Sequence, residues 1–179
     1  MAKKIHIFGA SGSGTTTLAE NLARELKISH FDTDNFFWLK TDPPFQKIRK
    51  LTERQEILSQ ALDSTDVWIL SGSLCGWGDF TIPMFDLAVF LWVPPEIRLQ
   101  RLKKREIKRF GEDINNPDNP QYQSHLEFMQ WAAGYDSGDL NMRSKHMHED
   151  WILKLSCPVL RIAGKDTVEK NLSRVLAYI

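Results

Sequence analysis

The stretch GASGSGTTT at residues 9–17 carries the most specific chemistry in the chain. Gly9 and Gly14 are separated by four residues, and a hydroxyl residue, Thr16, follows two positions on, which is the spacing of the phosphate-binding loop G-x-x-x-x-G-K-[ST]. In such a loop the glycines let the backbone curl, so that successive N–H groups point inward. The helix that follows adds partial positive charge at its N-terminus. The position that holds lysine in the pattern is Thr15 here. The loop can still cradle an anion through Gly9, Ser11, Gly12, Ser13, Gly14, Thr15, Thr16 and Thr17, because backbone donors do not depend on residue 15. A threonine hydroxyl can ligate Mg²⁺, and the spacing from Gly14 favours Thr16 over Thr17. Losing the lysine removes a charge-assisted contact worth about 1.5–3 kcal/mol. Either another cation substitutes, or the protein binds nucleotide and transfers slowly or not at all.

Two further groups suit phosphoryl chemistry. Asp32 and Asp34 lie in the segment HFDTD. If that segment is extended, residues i and i+2 share a side, and both carboxylates face one site. One could hold Mg²⁺, and the other could take the proton of an acceptor hydroxyl. Arg98, Arg101, Arg105 and Arg109 fall within an arc of roughly 80° on a helix, so one face is expected to present four guanidinium groups. Arginine suits phosphate because its planar fork donates two hydrogen bonds at once. Arg101 and Arg105 are the expected phosphate ligands and the best replacements for the absent lysine. The loop SGSLCGWGD at 71–79 places Gly72 and Ser73 near the phosphates and makes Trp77 and Asp79 candidates for an acceptor pocket. His146 and His148 are two apart, the wrong spacing for a shared helical face, and are expected at the surface. His6 is expected in the core.

Five short apolar runs can position these groups: 3–8, 29–34, 66–70, 86–93 and 158–164. Helical patterns lie between them. Leu18, Leu22 and Leu26 recur at i, i+4 and i+8 after the glycine loop. Thr52 and Gln55 have capping-box spacing for a helix to about Leu62. Pro94 and Pro95 open a helix through Phe110, since proline is tolerated in a first turn. Pro43 and Pro44 make 36–50 irregular. The stretch 111–121 is rich in turn residues and is expected to be mobile. Helices near 122–133 and 141–155 follow, and 167–179 is the last. Strands that are nearly continuous apolar runs, alternating with helices, predict an α/β fold with a parallel sheet covered on both faces. Ligands then bind beyond the carboxyl ends of the strands.

The chain has 179 residues, of ordinary single-domain size. Lys+Arg and Asp+Glu both number 23, which argues against nucleic-acid binding through net charge. The longest apolar run, 87–93, is far too short to span a bilayer, and the N-terminal run is too short for a signal peptide. Cys75 and Cys157 fit neither a zinc site nor a redox pair, and a cytoplasmic setting is expected.

A dinucleotide-binding turn is the rival for the glycine loop, with Asp32 or Asp34 about 20 residues on as the ribose acid. It fails in detail: G-x-G-x-x-G from Gly12 needs glycine at Thr17, and neither Tyr122 nor Tyr135 is followed four residues later by lysine. The stretches IHIFGASGSGTTTLA, HFDTDNFFW, WILSGSL, VFLWVPPEIRLQRLKKRE and VLRIAG together resemble P-loop kinases of the adenylate kinase and shikimate kinase kind. The resemblance implies a single domain over 1–179 with a five-stranded parallel sheet and an ATP site at the loop. It also implies an acceptor region at 35–65 and a lid over 105–142. The third strand ends in Ser71 where relatives often carry an acid, which shifts metal handling to Asp32 or Asp34.

The expected function is ATP- and Mg²⁺-dependent phosphorylation of a small molecule, foremost a nucleoside or nucleoside monophosphate. A non-catalytic nucleotide-binding sensor is the alternative from another class, and an NAD(P) enzyme is the distant third. The missing lysine and missing acid favour a sensor; Asp32, Asp34 and the arginines favour a kinase. No nucleic-acid or membrane partner is expected, and the oligomeric state stays open.

Overall fold

The computed structural model describes residues 2–179. Five strands, β1 (Lys4–Gly9), β2 (Ser29–Asp32), β3 (Trp68–Ser71), β4 (Leu87–Trp92) and β5 (Val159–Ala163), form one parallel sheet in the order β2-β3-β1-β4-β5. The expected five-stranded parallel α/β fold is therefore what the chain adopts. β1 lies between β3 and β4 rather than between β2 and β4, so the order differs from the 3-2-1-4-5 of a dinucleotide fold. That removes the rival reading of the glycine loop.

Seven α-helices accompany the sheet: α1 (Thr15–Leu26), α2 (Asp34–Phe37), α3 (Leu51–Asp63), α4 (Pro95–Phe110), α5 (Tyr122–Ala133), α6 (Lys145–Ile152) and α7 (Val168–Tyr178). Strand alternation divides the core into two layers. Ile5 and Ile7 of β1 point to one face, where they pack with Leu18 and Leu22 of α1 and Val175 of α7. Phe8 points to the other, among Leu58 and Leu62 of α3, Phe90 of β4 and Trp151 of α6. His6 lies on that second face, fully buried as expected, between the rings of Phe8 and Phe85. Burial pushes its pKa down to about 3, so it is a neutral core residue.

Three local expectations fail for identifiable reasons. Thr52 is not a helix cap: α3 begins at Leu51 with Lys50 before it, and no side chain caps it. Gln55 instead donates to the carbonyl of Trp77, 2.8 Å away, tying α3 to the loop after β3. The segment HFDTD is not extended throughout. Thr33 has helical dihedrals, and Asp34 opens the short helix α2. The helix expected over 141–155 is shortened to α6, because Ser144 adopts an extended conformation and its Oγ accepts from the Met147 amide. Between α4 and α5 the turn-rich stretch contains a 3-10 turn, Glu112–Asn115, whose Ile114 is fully buried.

Candidate phosphate and acceptor clefts

All five strands are parallel, so their carboxyl ends share one edge of the sheet. Gly9 ends β1, Asp32 ends β2 and Ser71 ends β3 there, with Asp32 in register with Ser71. The glycine loop leaves that edge and enters α1. Gly12 has φ +80, and a Cβ on it would lie 2.7 Å from the carbonyl oxygen of Arg98. Only glycine allows both that dihedral and that approach of loop to α4. The loop, Asp32, Asp34, Gly72, Ser73, Arg101, Arg105 and Arg143 line a polar cleft of about 230 Å³. Gly9, Ser11, Gly12, Gly14, Thr15, Thr16 and Thr17 all face it. Ser13 is buried behind it, its hydroxyl donating to the Ala10 carbonyl and closing the turn.

Two contacts address the missing lysine and the metal. Arg101 Nη1 lies 3.4 Å from the carbonyl oxygen of Gly12 and 3.3 Å from that of Ser13. A guanidinium thus rests on the loop that lacks its own cation. Thr16 Oγ1 donates to Asp32 Oδ2 at 2.8 Å. Among the described residues no three His, Cys, Asp or Glu side chains converge on a possible metal position. A hydroxyl and one carboxylate beside a phosphate cleft nevertheless fit Mg²⁺, which keeps waters and takes oxygen from phosphates. They do not fit a caged metal.

Asp34 stands where this cleft meets a second one of about 530 Å³. It is open to solvent in the cleft but flanked by protein. Partial removal from bulk water and the neighbouring Asp32 charge raise its carboxyl pKa, while Arg143, Arg105 and the Trp38 side chain pull it back. The second cleft has aromatic walls, among them Phe37, Trp38, Phe45, Phe128 and Trp131. Guanidinium groups lie over several of these rings: Arg105 over Phe128 at 5.8 Å, Arg109 over Phe45 at 4.7 Å and Arg143 over Trp131 at 5.3 Å.

The four-arginine face divides. Arg98 is fully buried and is no phosphate ligand. Its guanidinium pairs with Asp136 and donates to the carbonyls of Val93, Ala132 and Ser11. Asp136 also accepts from Trp92 Nε1 at 2.7 Å. Arg98 therefore joins α4, the end of α5 and the glycine loop. Arg101 and Arg105 reach the phosphate cleft, and Arg109 reaches only the aromatic one.

The loop after β3 is also corrected. Gly72 and Ser73 line the phosphate cleft as expected. Trp77 does not line an acceptor pocket; it is buried against Phe37, with its indole N–H on the Ser73 carbonyl. Asp79 accepts from Trp151 Nε1 and is likewise outside both clefts. His146 is exposed, but His148 is fully buried, bridging Ser73 Oγ at 3.1 Å and Tyr135 OH at 2.7 Å. Its spacing to Trp151 and Ile152, three and four residues on, placed it on the buried face of α6. Burial pushes its pKa down to about 3. Arg143 lines both clefts and was not singled out in the sequence: it falls inside the helix expected over 141–155, but the structure starts that helix only at Lys145 and leaves Arg143 in the loop before it.

Comparisons with known proteins agree with this geometry. A family model described as "AAA domain" matches residues 5–117. The uncharacterized protein YqaC of Bacillus subtilis is 44% identical over 179 residues, 100% of this chain and 98% of its own. A cytidylate kinase of Archaeoglobus fulgidus is 28% identical over 116 residues, 59% of this chain and 63% of its own. The shikimate kinase structure from Bacteroides thetaiotaomicron superposes with a TM-score of 0.54 at 19% identity, covering 99% of this chain and 98% of that one. That likeness shows the fold: a P-loop sheet of the shikimate kinase kind.

Proposed function

The chain belongs to the AAA domain family of P-loop proteins, and on that premise we propose that it is a kinase. It transfers the γ-phosphoryl group of ATP to a small molecule, foremost a nucleoside or nucleoside monophosphate. The carrying observation is the position of Asp34 at the junction of the phosphate and aromatic clefts, with Arg105 and Arg143 beside it. A phosphoryl donor in one cleft and a hydroxyl acceptor in the other meet at that carboxylate.

In this reading the loop binds the ATP phosphates through its backbone N–H groups and the start of α1. The acceptor oxygen attacks the γ-phosphorus as the bond to the β–γ bridging oxygen breaks. A hydroxyl acceptor gives its proton to Asp34, whereas a nucleoside monophosphate attacks through a phosphate oxygen that is already ionised; in both cases ADP leaves. A carboxylate with a raised pKa is a better matched base than an ordinary one. Arg101, already on the loop, supplies charge to the phosphoryl oxygens in place of lysine, and Arg105 joins it from the same helix face. Thr16 and Asp32 would hold Mg²⁺, which when bound neutralises phosphate charge. Residues 35–65 serve as the acceptor region and 105–142 as a lid, within one domain. The cationic, ring-lined cleft suits an acceptor that is flat and anionic. The cellular setting that fits is cytoplasmic, where ATP is available; among the described residues no helix is long and apolar enough to cross a membrane.

The degenerate-sensor reading is favoured by Thr15 and Ser71 alone. Thermal melting with ATP, GTP and NAD(P), with and without Mg²⁺, tests the proposal. A rise with ATP that grows with Mg²⁺ and is lost in Thr16→Ala is expected. No nucleotide-dependent rise would overturn it.

A further inference from the structure

Glu106 is out of place on the face it occupies. It sits between Arg105 and Arg109 on α4, is only 4% exposed, and lies on the wall of the larger cleft. Its Oε1 takes one long hydrogen bond from Arg109 at 3.4 Å. Its Oε2 is 3.7 Å from His125 Nδ1, beyond hydrogen-bond reach. His125, on α5, is 8% exposed, lines the same cleft, and its buried Nδ1 has no partner. A carboxylate and an imidazole thus share one wall, both nearly buried: Glu106 has Arg109 and His125 at ion-pair distance but only one long hydrogen bond, and His125 Nδ1 has none. Buried polar groups are rarely left so, because each forfeits its hydration without replacement.

We propose that Glu106 and His125 read the edge of a planar heterocycle carried by the acceptor. The carboxylate accepts from a ring or exocyclic N–H, and the imidazole pairs with the neighbouring ring position. The proposal rests on the kinase reading and deepens it by naming the part of the acceptor that is recognised. Phe45, Phe110 and Phe128 lie on the same cleft, so a flat ring between them is covered on its faces while its edge meets the pair. Asp34 and Arg143 lie on the cleft where it adjoins the phosphate site, which assigns the acceptor's reacting oxygen, and its phosphate where it carries one, to them. A hydroxy acid without a heterocycle would leave His125 Nδ1 without a partner and Glu106 with only its long bond from Arg109. A site built around such groups rejects a ligand that lacks the matching donor far more strongly than one that differs by a methylene.

The test is a pair of edge deletions in the ligand. CMP is compared with pyrimidin-2-one riboside monophosphate, and AMP with purine riboside monophosphate, each analogue lacking the exocyclic amino group. Binding is measured by calorimetry with the loop saturated by β,γ-imido-ATP, whose own titration reports separately on the nucleotide site. For the preferred base the wild type should bind the parent at least tenfold more tightly than its analogue. Glu106→Met should bring that ratio close to one, and Glu106→Gln should leave part of it. A purely structural Glu106 would instead lower the melting temperature in Glu106→Met and weaken every ligand alike. Equal binding of parent and analogue by the wild type overturns the proposal without any variant. So does discrimination that survives Glu106→Met, or no binding of either nucleotide while ATP transfer to another acceptor proceeds. If β,γ-imido-ATP fails to bind but the Glu106-dependent ratio holds, the kinase reading falls and the edge reading stands.

Discussion

Thr15 and Arg101 together define the chemical question at the scale of single residues. Arg101 holds the carbonyls of Gly12 and Ser13, so its charge is at the loop before any ligand arrives. Because backbone donors bind ATP in the ground state, Arg101→Ala should reduce turnover far more than ATP affinity, and Arg105→Ala likewise; steady-state kinetics beside ATP titration separates the two. Thr15→Lys should strengthen ATP binding by about tenfold, as one added phosphate contact would. Asp34 gives a second prediction, with a definite sign. Its folded pKa is raised, so between the ordinary carboxylate value and the raised one the folded state binds more protons than the unfolded state. Stability therefore falls as pH rises through that window, and the cost is largest above the raised folded pKa. Asp34→Asn should abolish transfer yet raise the melting temperature at pH 7, a gain that disappears below the ordinary carboxylate range. Equal melting temperatures at pH 7 would contradict this assignment. Motif spacing singled out Thr16 and the D-x-D segment singled out Asp32, but the hydrogen bond between them is seen only in the structure. The fate of Arg98 was not, because helical periodicity places a side chain on a face without saying which neighbour covers that face.

At the scale of elements, α4 ties the loop to the region proposed as a lid. Arg98 connects Val93, Ser11, Ala132 and Asp136, and His148 connects Ser73 with Tyr135. Removing a fully buried guanidinium leaves a carboxylate and several carbonyls without partners. Arg98→Met should then cost about 3–5 kcal/mol in urea unfolding, and a loss under about 1 kcal/mol would show that the network contributes little. The lid itself is tested by hydrogen exchange over 105–142, which should slow when ATP and Mg²⁺ are added; unchanged exchange would remove the lid. Elements whose pattern is set by core burial, such as α1, α4 and the five strands, were readable to within a few residues. The start of α3 was not. A capping box is a local preference, and the tertiary contact of Gln55 with the Trp77 carbonyl uses the residue elsewhere.

For the whole molecule, the alternation of apolar runs with amphipathic helices was enough to predict the parallel sheet, since the central strands β1, β3 and β4 bury both faces, while the edge strands β2 and β5 are only partly covered. The strand order was not contained in that alternation, and it is the order that separates this fold from a dinucleotide fold. The aromatic cleft was only half legible. Its rings come from 37–45, Phe110 and 128–131, far apart in the chain, and the arginine that joins it to the phosphate site lies in the loop just before α6, where the sequence pattern had placed helix. In the proposed function a P-loop without its lysine still transfers a phosphoryl group because α4 supplies the charge. The most direct measurement is transfer of the labelled γ-phosphoryl group of ATP to a panel of nucleosides and nucleoside monophosphates by the wild-type protein, Arg101→Ala and Thr15→Lys. Wild type should give a labelled product that Arg101→Ala nearly eliminates. No product with wild type, together with product from Thr15→Lys, would contradict that proposal and identify a nucleotide binder that has lost its catalytic charge.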